Sequence, residues 1–221
     1  MTGPVRIDIV SDVMCPWCFI GKKRFEKALQ SLGEEVGVEV SWRPYQLDPT
    51  LPLEGKDRDT YLAEKFGSIE RARDLYRNIE QAGEGEGIPF RFEAIAMSPN
   101  TLDAHRLIRW AQNAGEGAQS KVVERLFELY FLEGANIADH TVLLEVAREA
   151  GMDTAIVGSL LAGDADREAV QEEIATAQRM GVTGVPCFIL ENKYAVIGAQ
   201  DPQTIADAVR QVAAEKSAAT G

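Results

Sequence analysis

Two cysteines separated by two residues, Cys15-Pro16-Trp17-Cys18, stand where one hydrophobic period ends and another begins. Upstream, Val5-Arg6-Ile7-Asp8-Ile9-Val10 alternates apolar and polar residues, the pattern of a half-buried strand. Downstream, Phe25, Ala28, Leu29 and Leu32 repeat at helical spacing, and Gly33 is the stop. With Cys15 as N-cap, Pro16 takes the first helical position, where a missing N–H costs nothing and a fixed φ helps. Cys18 then sits at the third position, its backbone N–H directed back at the Cys15 sulfur. Unpaired helix N–H groups and the positive end of the helix dipole both favour S⁻ over S–H at Cys15. Lys22, Lys23 and Arg24 on the next turns add positive potential, weakened where solvent reaches them.

Three readings of the pair compete. A structural zinc site wants four ligands, and the other candidates, Cys187, His105 and His140, are each isolated. Two inert buried thiols are the second reading, since free cysteine is often core. A proline between the cysteines and a strand immediately before them favour the third, a redox pair. With three cysteines in 221 residues the chain is no disulfide scaffold. A formal charge of −12 excludes nucleic-acid backbones and anionic membranes as main partners, and no apolar run approaches the length of a membrane span. Met1-Thr2-Gly3-Pro4 leads straight into the first strand without a secretory pattern, so a cytoplasmic location is expected unless a leader was removed.

In chain order, Val36 to Tyr45 reads as a second strand with Pro44 near its end, completing a βαβ unit with a parallel pair. Leu47 to Lys56 is a proline-containing linker, and from Asp57 to about Ala165 the pattern is mostly helical. Ile69, Ala72, Leu75, Tyr76 and Ile79 make one apolar stripe, Val122, Leu126, Leu129 and Tyr130 a second, and Val142, Leu143, Val146 and Ala150 a third. Gly83-Glu84-Gly85-Glu86-Gly87 reads as a flexible turn, and Phe90 to Met97 as a short extended piece. Val170, Ile174 and Ala177 share a face of the helix that returns to the sheet. Phe188–Leu190 and Tyr194–Ile197 read as a hairpin about Glu191-Asn192-Lys193, and Asp201 caps a last helix with Pro202 at its start.

The strand, the Cys-Pro-Trp-Cys element and the helix resemble the start of a thioredoxin-fold disulfide oxidoreductase. Gly181-Val182-Thr183-Gly184-Val185-Pro186-Cys187-Phe188 resembles the cis-proline loop of the DsbA family, and Ser98-Pro99-Asn100-Thr101-Leu102-Asp103-Ala104-His105 the helical insert of its FrnE-like branch. The resemblance implies an α/β, thioredoxin-like fold interrupted by an all-helical insertion domain. Residues 1–50 and 166–216 would form the discontinuous thioredoxin-like domain, 57–165 the insertion and 217–221 a frayed tail. It also implies a cis Val185–Pro186 bond facing Cys15, where the Val185 backbone can meet an extended substrate.

The activity implied is thiol–disulfide exchange with protein or small-molecule thiols and disulfides, Cys15 as nucleophile and Cys18 as resolving thiol. No metal and no dissociable cofactor are called for, although glutathione is open as substrate or partner. Oligomeric state is left open, a homodimer included. Two rivals keep the fold: a glutathione-dependent isomerase or kappa-class transferase, which usually carries Ser at the position of Cys15, and a non-catalytic redox sensor or holdase. Trp17 is read as a partly exposed substrate contact. Asp12 is a turn residue or a proton relay to Cys18, and His105, on the flank of an inward helix face, is a pocket-lining or surface residue or a proton-transfer group. His140 is placed in a capping region. Cys187, a departure from the family's usual non-thiol residue after the proline, is read as a core thiol.

Overall fold

The alternating run at the N-terminus forms β1, Val5–Ser11, in a computed structural model that describes residues 3–218. It pairs in parallel with β2, Val38–Pro44, from Val5 opposite Val38 to Ser11 opposite Pro44. Pro44 is the last residue of its strand, where a missing N–H interrupts nothing. The crossover is α1, Pro16–Leu32, which ends at Gly33 with φ +52° and the Gly33 N–H on Leu29 O. On the other side of β1 lies β5, Cys187–Leu190, antiparallel, followed by β6, Tyr194–Ile197. The sheet order is therefore β2-β1-β5-β6, and strands from the two ends of the chain lie side by side at its centre. Glu191 and Asn192 take left-handed φ of 52° and 54° in the hairpin turn, a backbone whose twist matches that of the flanking strands.

Strand alternation divides β1 between two layers. Ile7 and Ile9 join Phe25 of α1 and Ile205 and Val209 of α9, Pro202–Ala218. Val10 faces the opposite way, with Cys187, Ile189 and Ala177 of α8, Arg167–Arg179. The result is a thioredoxin-like α/β core. Asp201 caps α9 as the sequence indicates, its Oδ1 accepting the Gln203 N–H at 2.9 Å. The expected frayed tail is corrected in part: Ser217 and Ala218 are helical, while 219–221 lie outside the described residues.

Between β2 and α8 the chain makes α2 (Arg58–Phe66), α3 (Ile69–Gly85), α4 (Leu102–Ala111), α5 (Ala118–Phe131), α6 (His140–Glu149) and α7 (Thr154–Ala162). One two-residue ribbon interrupts this helical insertion, β3 (Lys56–Asp57) against β4 (Met97–Ser98), and a single tight helical turn at Phe92–Ala94 replaces most of the expected extended piece. The Gly83–Gly87 turn is corrected in part, because α3 continues to Gly85 and only Glu86 and Gly87, with Gly87 at φ +77°, make the turn. A Cβ on Gly83 would lie 2.4 Å from Phe90 Cε2, so glycine here admits a ring rather than loosening the chain. Glu86 then ties this helix end to α1 through Arg24 and Lys27, each at 2.7 Å. Leu75 leaves the predicted stripe and is solvent-exposed, while Ala72 is buried.

The insertion shares its core with the sheet domain. Phe19, the residue after Cys18, stacks on Phe127 of α5 at 5.0 Å between ring centroids and meets Phe90 and Phe131 beyond it. Burying such a ring is worth about 1.5–3 kcal/mol, and a paired ring about 1 kcal/mol more. The helix that carries both thiols is thus clamped from two sides, by the sheet and by α5.

Candidate active site

Cys15 is the N-cap of α1 and Pro16 its first residue, as the spacing requires. The turn before it is closed by the Cys15 N–H on Asp12 O at 3.0 Å. One expectation is corrected: the Cys18 N–H donates to the Cys15 carbonyl at 3.0 Å, not to its sulfur. The first turn is tight enough for an i to i+3 bond, which consumes that donor. The Cys15 Sγ instead faces Val185 O at 3.8 Å, and the Val185–Pro186 bond is cis.

Both thiols are buried, Cys15 at 5% and Cys18 at 1% exposure. Burial, with the neighbouring Cys15 adding to it, holds the Cys18 thiol well above its ordinary range. The Ser11 hydroxyl and the Asp12 backbone N–H act in the opposite direction. The expected positive field of the next turns is largely cancelled. Lys22 is buried against Glu26 and Glu124, Lys23 pairs with Glu124, and Arg24 with Glu86.

The cis-proline loop sits directly over α1 at Gly21. A Cβ there would approach Pro186 Cγ to 2.7 Å. Arg24 Nη1 donates to Ala199 O at 2.6 Å and the Gly198 N–H to Pro186 O at 2.8 Å, which fixes the loop from its far side. In the sequence Gly21 shows only as a glycine inside a helical pattern and Arg24 only as part of a basic turn.

Asp12 is fully buried behind the pair. Its Oδ2 accepts the Leu47 N–H at 2.7 Å and its Oδ1 the Met14 N–H at 3.4 Å, with His105 Nε2 3.3 Å from Oδ1. His105 is therefore no surface residue: it is 3% exposed, with its ring nitrogen against the Asp12 carboxylate. Its helix, α4, is locked to the loop after β2 by Asn100, which accepts from Gln46 at 3.1 Å and from the Leu102 N–H at 3.0 Å and donates to Leu51 O at 2.7 Å. That packing turns the flank of the helix inward. Trp17 stands at the mouth and is 38% exposed.

Cys187 and His140 stay out of the site. Cys187 pairs with Val10 and shares its side of the sheet, away from α1, where burial raises its thiol. His140 Nε2 lies 2.8 Å from Asp103 Oδ2 in a separate cluster with Arg106 and Arg167. Among the described residues no three His, Cys, Asp or Glu side chains gather as a metal centre requires, and no helix is long and apolar enough to cross a membrane.

Comparison with known proteins finds similarity over nearly the whole chain. YwbO of Bacillus subtilis (strain 168), described as uncharacterized, is 30% identical over 190 residues, covering 84% of this chain and 86% of its own. SCO1869 of Streptomyces coelicolor, described as a probable DsbA oxidoreductase, superposes with a TM-score of 0.86 at 33% identity, over 96% of this chain and 91% of its own. The cytosolic disulfide reductase DsbM of Pseudomonas aeruginosa, solved with GSH, shares the fold with a TM-score of 0.65 at 19% identity, over 93% of this chain and 98% of its own. The model of the DSBA-like thioredoxin domain matches residues 6–210. The chain belongs to the DSBA-like thioredoxin domain family and is a DsbA-like thiol–disulfide oxidoreductase whose candidate pair is Cys15-Pro16-Trp17-Cys18.

Proposed function

We propose that Cys15 is the nucleophile and Cys18 the resolving thiol of this oxidoreductase. The observation that carries the assignment is placement: Cys15 Sγ stands at the helix N-terminus 3.8 Å from Val185 O, while Cys18 is buried one turn further in. A substrate strand laid along Val185 would hydrogen-bond its backbone and bring a sulfur to Cys15. Attack by a Cys15 thiolate on a substrate disulfide forms the Cys15 mixed disulfide and releases the substrate's other sulfur as thiolate. Attack by Cys18 on Cys15 then forms the internal disulfide and releases the remaining substrate thiolate. Oxidation of a substrate dithiol is the reverse sequence.

In this reading Trp17 is a substrate contact and Pro186 shapes the docking edge. Asp12 and His105 are positioning residues, because both carboxylate oxygens of Asp12 are engaged with Leu47, Met14 and His105. The insertion over residues 57–165, a unit apart from 1–50 and 166–216 in chain order, forms the wall beside the pair. The FrnE-like branch rests on the Ser98–Leu107 stretch of that insertion. The fold shared with a cytosolic reductase solved with GSH supports a cytoplasmic setting and glutathione as a small-thiol partner.

Turnover of an insulin-type disulfide substrate with a thiol reductant tests the reading. The wild-type protein should reduce it catalytically, and Cys15→Ser should lose at least about a thousandfold in rate, the scale of deleting a nucleophile. Equal rates for the two proteins would overturn the assignment.

A further inference from the structure

Ser11 closes β1 two residues beyond Ile9 and four beyond Ile7, so strand alternation turns its side chain toward α1, where Cys18 lies. It is 4% exposed. A buried hydroxyl is ordinarily hydrogen-bonded, yet Ser11 Oγ has no hydrogen-bond partner among the described residues. Its carbonyl accepts the Tyr45 N–H at 3.0 Å where the β1–β2 pairing ends at Pro44, so the backbone is anchored while the hydroxyl rotor is uncommitted. The buried polar group on that face is the Cys18 thiol, whose ionisation the Ser11 hydroxyl and the Asp12 backbone N–H both favour.

Resting on the thiol–disulfide reading above, we propose that Ser11 is a catalytic residue whose hydroxyl turns to Cys18 Sγ and stabilises it as a thiolate during exchange. When a substrate thiolate attacks Cys15 in the internal disulfide, the Cys15–Cys18 bond breaks and its electron pair leaves on Cys18 Sγ. In the opposite direction the Cys18 thiolate attacks Cys15 Sγ of the mixed disulfide, and the pair leaves on the substrate sulfur. Either way Cys18 carries negative charge in a place closed to water, where an unsolvated anion is costly. Ser11 Oγ–H and the Asp12 N–H are two donors on that sulfur, one rotating and one fixed, and neither gives up its proton. The arrangement is an oxyanion hole in function, with sulfur in place of oxygen. Orphan status in the thiol form is what such a donor should show, since its acceptor is created only in the reaction.

The test uses Ellman's reagent, an aromatic disulfide, on the reduced full chain in a Cys187→Ala background, so that only the pair reports. The first thiol released marks attack by Cys15, and the second marks attack by Cys18 on the Cys15 mixed disulfide. Ser11→Ala should slow the second phase about tenfold, as loss of a hydrogen bond to a charged group does, and leave the first within about twofold. Ser11→Thr, which keeps the hydroxyl, should restore the second phase. The pH at which that phase reaches half its limit should move upward in Ser11→Ala only. The other titratable groups near Cys18 are Cys15 and Asp12, with His105 behind Asp12, and all three are unchanged in the comparison. An unaffected second phase, two phases slowed alike, or a Ser11→Thr as slow as Ser11→Ala would overturn the role of Ser11 while leaving the exchange reading standing. Release from neither Cys15 nor Cys18 in the parent would overturn the exchange reading itself, and Ser11 with it.

Discussion

At the scale of single residues the three cysteines have three different fates, decided by the side of the sheet each lies on and its depth there. Cys15 opens on the cis-proline loop, Cys18 is sealed beneath it, and Cys187 lies on the opposite side among Val10, Ala177 and Ile189. Alkylation of the native reduced protein should therefore label Cys15 first and leave Cys187 unlabelled until the chain is denatured. Peptide mapping checks this, and native labelling of Cys187 at the rate of Cys15 would show that its burial has been misread. The pair was legible in the sequence because its chemistry is local: strand end, N-cap and Pro16 fall within a few residues of one another. His105 was not, because a helix flank becomes an inside only when another element covers it, and the cover here is the Asp12 turn, 93 residues away in sequence. Ser11 is illegible in the sequence for the same reason, as its meaning depends on α1 folding back over β1.

At the scale of elements, the site depends on how closely α1 and the cis-proline loop approach, and Gly21 sets that distance. Its φ is ordinary for a helix, so the requirement is one of space alone. Gly21→Ala should force Pro186 away from α1, costing about 1–3 kcal/mol in chemical denaturation as overpacking does, and slowing exchange along with it. Unchanged stability and rate would mean the loop is not held as described. The βαβ start, the hairpin and the last helix could all be read from period and punctuation, since each forms from contiguous residues. The glycine-rich stretch at the end of α3 misleads for a physical reason. Glycine marks a turn when the chain needs positive φ, but at Gly83 it marks the approach of the Phe90 ring, and sequence alone does not distinguish the two.

At the scale of the whole molecule, carboxylates staple segments that are distant in sequence. Glu191 joins the hairpin to β1 and α9, and its hydrogen bonds from Lys216 and from the Arg6 N–H hold it down at about 2. For Glu86, Glu124 and Asp103 burial pulls upward, but Lys27 with Arg24, Lys22 with Lys23, and His140 with Arg106 outweigh it, so all three are lowered. With folded values below unfolded ones, the unfolded chain binds more protons in the interval between them, so stability falls as pH falls. The melting temperature should hold from about pH 7 to about pH 5 and decline below about pH 4, where free carboxylates begin to protonate. Glu191→Gln should flatten that decline across the whole interval from about 4.5 down to about 2. A steep loss between pH 7 and pH 5 would contradict this ledger of staples. The central claim also belongs to the whole chain, since Cys15 near one end meets Val185 near the other and Cys18 waits beneath. Mass spectrometry of Cys18→Ser incubated with a disulfide substrate tests it most directly. A mixed disulfide that persists and maps to Cys15 is the predicted result, and a substrate adduct on Cys187, or none at all, would contradict it.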